Sequence, residues 1–185
     1  MKKYTILHRS LHWIISLSML VVLTTGFLRI VWMSKGAISL ALTKNNVVIA
    51  KENLRSISHA IQEPMFQWHV YFAYVITFAF IARIIYMVAK GIKFPNPFSN
   101  DTLKKDRFQG AIYLAFYILI SVQIITCAIL KFDLGSETII DLSETVHKFA
   151  VYWTLIFILL HFAGIAISEN TNKKGITSKM IGGDS

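Results

Sequence analysis

The sequence predicts an all-α integral membrane protein, a four-helix bundle with both termini cytoplasmic and room for a short extra helix in the outer loop over 34–66. Three observations carry this. Of 185 residues, 55% are apolar and only 16% charged, against about 25% charged in a soluble domain, and mean hydropathy is +0.55. The apolar residues gather into four stretches, at about 11–33, 69–89, 110–130 and 147–168, each near the ~20 residues that cross a bilayer as a helix. The basic residues flank these stretches, where they act as a topology signal.

The length fits one domain, a single transmembrane unit over 1–185. The only cysteine, Cys127, sits inside an apolar run. That excludes a disulfide, a cysteine-built zinc or iron–sulfur site within this chain, and covalent c-type haem, which needs C-x-x-C-H. The net charge of +9 belongs to the span flanks, so no nucleic-acid partner is expected. Thirteen Phe, seven Tyr and four Trp suit the membrane interfaces.

The first span lacks a small-residue cleavage site and its apolar core is too long for a signal peptide, so it is read as retained. The segment 34–66 is long for a connection. Its 47–62 part (VVIAKENLRSISHAIQ) has helical spacing, which predicts a short surface helix ended by Pro64. Pro95 and Pro97 break the chain after the second span. The 132–144 segment reads as a loop made acidic by Asp133, Glu137, Asp141 and Glu144. It is either a docking face for a basic periplasmic partner or simply solvated.

Loop charge sets the orientation. One side holds Lys2, Lys3, Arg9, Arg83, Lys90, Lys93, Lys104, Lys105, Arg107, Lys173, Lys174 and Lys179, against Asp101, Asp106, Glu169 and Asp184. The other holds Arg29, Lys35, Lys44, Lys51, Arg55, Lys131 and Lys148, against Glu52, Glu63, Asp133, Glu137, Asp141 and Glu144. The first side, with both termini and the 90–108 loop, is therefore cytoplasmic. Lys173-Lys174-Gly175 reads as a cytoplasmic anchor.

Histidines at membrane depth are costly and point to function. His12 lies one turn into span 1, His69 opens span 2, His147 opens span 4, and His161 lies deeper in span 4. His147 and His161 are 14 residues apart, which is ~21 Å of helix rise and nearly four full turns, so both rings share a face. By depth, His69 pairs with His147 toward the outside and His12 with His161 toward the inside. Two imidazoles on facing helices suit axial ligation of a haem iron, whereas zinc prefers three or four ligands, often carboxylate or thiolate. Polar helix packing is the alternative for these residues. Arg83 follows His69 by the same 14 residues, which places it at the inner level. Its fork suits a haem propionate; snorkelling to inner headgroups is the other reading.

The carrying residues are Arg9-Ser10-Leu11-His12-Trp13, Trp68-His69 with Arg83, Glu144-Thr145-Val146-His147-Lys148 and Leu160-His161. In these the chain resembles the prokaryotic cytochrome b561 family, which includes the b-type cytochrome subunits of nickel–iron hydrogenases. The resemblance spans most of the chain. It implies a four-helix membrane bundle holding two b haems, with ligands matching His12, His69, His147 and His161. Two departures stand out: 34–66 is longer than in compact members, and the fifth helix usual in the hydrogenase subunits is missing.

On this resemblance the chain is expected to be a di-haem electron-transfer cytochrome of the bacterial inner membrane, part of a respiratory chain. It would pass electrons between the quinone pool and a periplasmic redox partner, a cytochrome c or a hydrogenase or dehydrogenase subunit. Two alternatives stand beside it: a stand-alone superoxide:quinone oxidoreductase and a non-redox membrane bundle. His8, four residues before His12, lines a quinone pocket, replaces His12 as ligand, or sits among headgroups. His59 reads as surface. Arg29 is an outer anchor or a propionate partner, and Lys148 points about 100° from His147.

Overall fold

The structure is a computed structural model that describes residues 5–99, 104–170 and 175–183. Lys2, Lys3, Asp101, Lys173, Lys174 and Asp184, counted above toward topology and the tail anchor, lie outside the described residues, as does the Lys105 side chain. Of the described residues 82% are helical, and no strand occurs among them. Among the described residues seven helices follow one another: α1 (Ile6–Ile30), α2 (Lys35–Lys44), α3 (Lys51–Ala89), α4 (Lys104–Phe132), α5 (Glu137–Lys148), α6 (Ala150–Glu169) and α7 (Ile176–Ile181).

Among the described residues four segments are long and apolar enough to cross a membrane: α1, α3, Asp106–Phe132 of α4, and the run Glu137–Glu169 made by α5 and α6. The all-α membrane bundle expected from hydropathy is what the chain forms. Large apolar side chains such as Phe78, Val88, Leu159 and Phe162 are exposed. In water that would be a liability; against lipid it is the surface that dissolves the protein. No residue of α6 is buried, as suits a helix that is apolar all round.

The chain forms two compact units. One comprises Met1–Trp13 and Ala79–Ser185. Its core includes Leu11, Phe80, Met87 and Ile120, and α4 packs on both α5 and α6 while α7 packs on α6. The other, Ile14–Phe78, buries Ile15, Met19 and Ile76. Here α2 starts at Ser34, whose Oγ accepts from the Ala37 N–H at 3.2 Å, the usual satisfaction of an orphan helix donor.

Helix ends obey local chemistry. α3 stops at Gly91, whose φ of 60° suits a residue without Cβ. The Ile92 N–H reaches Met87 O at 3.0 Å and the Gly91 N–H reaches Val88 O at 3.1 Å, a Schellman closure. After it, the Pro95–Pro97 turn lies against α4: the Arg107 Nε–H donates to Pro97 O at 3.2 Å. A Cβ at Gly110 would run into the Pro95 carbonyl.

Three expectations are corrected. Pro64 does not end a short helix; it lies inside α3, which runs 39 residues. Proline removes one hydrogen bond, here toward the carbonyl of exposed Ala60, which water at an interface can satisfy. Gln62 also ties this turn to the chain after α1, its Nε2 donating to Met33 O at 2.5 Å. The acidic stretch is not a loop over 132–144: from Glu137 it is α5, an amphipathic helix. And His147 does not open the last span; it lies in the final turn of α5. The break behind it is slight, because Phe149 keeps helical dihedrals (φ −64°, ψ −14°) and the Tyr152 N–H reaches back only three residues to Phe149 O.

Candidate functional site

The N-terminal turns of α1, the end of α3 and α6 belong to one unit and bring His12, Arg83 and His161 together. The His12 and His161 rings, half-buried, have centroids 6.2 Å apart with planes at 42°. Phe157 stacks on His161 at 5.8 Å and 18°, and Trp13 meets His12 edge-on at 5.7 Å. These aromatic faces limit how each imidazole turns.

Arg83 is only 7% exposed. Its Nε–H donates to the Tyr117 hydroxyl at 2.9 Å, and that hydroxyl donates to Met87 Sδ at 2.9 Å. Tyr117 is itself held among Phe80, Phe94 and Phe116. Arg83 lies within electrostatic range of His8 and His12. No carboxylate of the described residues pairs with it. A buried cation without a counter-ion is expensive, so the position calls for an anion. The sequence placed Arg83 by its offset along the helix, but the tyrosine that aims it carried no sequence signal.

His69 and His147 fall in different units. In the first, the Thr25 hydroxyl lies 2.8 Å from His69 Nδ1, Phe66 stacks on the ring at 5.9 Å and 10°, and the Arg29 guanidinium covers Phe66 at 3.9 Å. In the second, the Thr126 hydroxyl lies 3.2 Å from His147 Nδ1. Neither threonine stood out in the sequence.

The weaker candidates separate. His8 approaches Tyr86, with ring centroids 6.2 Å apart, and the Tyr86 hydroxyl bonds Thr5 Oγ1 at 2.7 Å. Arg9 donates through Nη1 to Ile181 O at 3.3 Å, while its Nε is buried with no partner. Lys148 pairs with Glu144, one turn earlier. His59 is exposed, on the rim of a cavity of about 280 Å³ lined also by Arg29, Lys35, Arg55, Ser58 and Gln62. No cluster of three or more His, Cys, Asp or Glu suited to a bare metal ion occurs among the described residues.

The family model described as prokaryotic cytochrome b561 matches residues 3–183, nearly the whole chain. The chain belongs to the prokaryotic cytochrome b561 family. No curated protein and no solved structure matches it. As a b561 cytochrome it is a multi-pass membrane protein of electron transfer, in a lipid environment and with redox partners, and the family implies b haem. The reading as a non-redox bundle falls away.

The residues fit such a group. His12 and His161 would be the two imidazoles to hold a haem iron between them, and a bound haem would supply a one-electron couple there. Their ring centroids lie 6.2 Å apart. Buried Arg83 offers the cation that a b561 haem's propionates would meet.

Proposed function

We propose that this b561 cytochrome is a di-haem electron carrier of the bacterial inner membrane, acting as a single transmembrane domain with both termini cytoplasmic. His12 and His161 hold the inner haem, His69 and His147 the outer, and Arg83 meets a propionate of the inner one. Electrons pass between the membrane quinone pool and a periplasmic redox partner, a cytochrome c or a hydrogenase- or dehydrogenase-type subunit. The observation that carries this is the 6.2 Å separation of the His12 and His161 rings. The 14-residue offsets His69–Arg83 and His147–His161 support a second level ~21 Å away.

When bound, each haem supplies a one-electron iron couple. The chain's part is to fix the imidazoles, to hold Arg83 through Tyr117, and to exclude water with the Phe80–Phe94–Phe116 cluster. In that low-dielectric surrounding a fixed charge acts more strongly on a redox centre than it does in water. The test is cofactor stoichiometry. Pyridine haemochrome analysis of the purified chain should give two b haems; one or none would refute the two-level reading.

The basic cavity bounded by Arg29, Lys35 and Arg55 favours a second reading, superoxide oxidation with quinone reduction by the chain alone, because it would draw a small anion to the outer face. Superoxide consumption by the purified protein without a partner distinguishes the two.

A further inference from the structure

The two threonines beside His69 and His147 repeat one geometry on separate helices. Thr25, 9% exposed, and Thr126, 6% exposed, each bond the carbonyl four residues back: Thr25 Oγ1 to Val21 O at 2.7 Å, Thr126 Oγ1 to Val122 O at 2.9 Å. A second carbonyl lies three residues back, Val22 O at 3.2 Å and Gln123 O at 3.1 Å. Carbonyls only accept, so the single hydroxyl proton is committed to them. Toward the imidazole the oxygen then has lone pairs alone to offer, and the contact is Nδ1–H donating to Oγ1. That fixes the tautomer: proton on Nδ1, lone pair on Nε2.

We infer that Thr25 and Thr126 are positioning residues that set His69 and His147 as Nε2 ligands and tune the iron they hold. The inference rests on the ligand set proposed above. Ligating histidines commonly donate their other N–H to an acceptor, which fixes the ring and makes the coordinating nitrogen a stronger donor. A stronger donor favours ferric iron. Among the described residues neither His12 nor His161 has a hydroxyl at its ring, so the haem they hold is the internal control.

The sequence explains why threonine stands here. Its methyl group packs in an apolar helix as valine's would, and its back-bonded hydroxyl spares the bilayer an unsatisfied donor. Serine keeps the hydroxyl. Valine keeps the shape and loses it. The pair of substitutions therefore separates hydrogen bonding from packing.

The experiment is a redox titration of the full haem-loaded chain, resolving the two haems, for wild type, Thr25→Val, Thr25→Ser, Thr126→Val and Thr126→Ser. In each Val variant the haem held by His69 and His147 should shift about tenfold toward ferrous, which is ~59 mV upward for a one-electron couple. The other haem should stay put, and the Ser variants should resemble wild type. Loss of that one haem in a Val variant, with retention in the Ser variant, supports the same role. Unchanged potentials in both Val variants overturn it, as does equal behaviour of Val and Ser. Failure of the ligand set is read separately: His69→Ala and His147→Ala would then keep both haems.

Discussion

Replacing Arg83 by glutamine removes a buried guanidinium within electrostatic range of His12 while leaving a polar side chain of similar reach. The size of the effect follows from burial. Arg83 is 7% exposed and anchored through Nε to Tyr117, so its charge is neither fully hydrated nor free to swing away. A unit charge ~10 Å from the iron at an effective dielectric constant of about 20 contributes about 1.7 kcal/mol. For a one-electron couple that is ~70 mV. The cation favours ferrous iron, so the potential of the inner haem should fall by roughly this amount in Arg83→Gln. The outer haem, ~20 Å distant by helix rise, should fall by about half as much, ~36 mV by the same arithmetic. Tyr117→Phe should reproduce part of the fall, because it frees the guanidinium without discharging it. The assay is a potentiometric titration followed in the visible bands of both haems. Selective loss of the inner haem would also agree, since an unpaired buried propionate is costly. Unchanged potentials with both haems retained, or loss of the outer haem alone, would refute the assignment and leave Arg83 a headgroup anchor.

Four further outcomes are expected. His161→Ala should remove the inner haem and leave the outer, and His69→Ala should do the reverse; difference spectra and haem content decide. Gly110→Ala should lower stability by about 2 kcal/mol, because the new methyl group meets the rigid Pro95 carbonyl; thermal melting of the detergent-solubilised protein measures it. Pro64→Ala should leave haem content unchanged and match or raise the melting temperature, since it restores a helical N–H inside α3. Trp13→Phe should cost about 1 kcal/mol by removing the indole N–H bond to Met180 O, 3.2 Å long, visible in the same melts.

The four apolar helices and the approach of His12 to His161 were legible because hydropathy and helix periodicity are local properties. Runs such as 69–89 announce a crossing whatever lies beside them, and His12 and His161 are polar residues where polarity is costly. What escaped depended on balances that local rules do not resolve. Pro64 looked like a terminus because proline usually is one, yet the helix on either side outweighs a single missing bond. α5 was hidden because its charges resemble those of a loop; only their regular spacing from Ser136 onward, with Glu144 and Lys148 one turn apart, marks a helix. α2 gave little warning. Thr25, Thr126 and Tyr117 are ordinary residues in apolar helices, and their partners lie 44, 21 and 34 residues away, beyond any pattern read along one segment.

The join between Arg9 and the Ile181 carbonyl links residues 172 positions apart, and the bond from Trp13 to Met180 spans 167. Both flank His12, whose ring partner His161 is itself made late. At 5–20 residues per second, a ribosome that has finished α1 needs about 10–30 s more before α7 emerges. Through that interval His12 waits in the bilayer without the segments that complete its surroundings. Maturation of the inner level is therefore expected to be post-translational, ordered after insertion of α6. A chain stalled before α7 would present a half-built site to whatever delivers haem, and shortening the last helix should slow cofactor loading before it affects insertion.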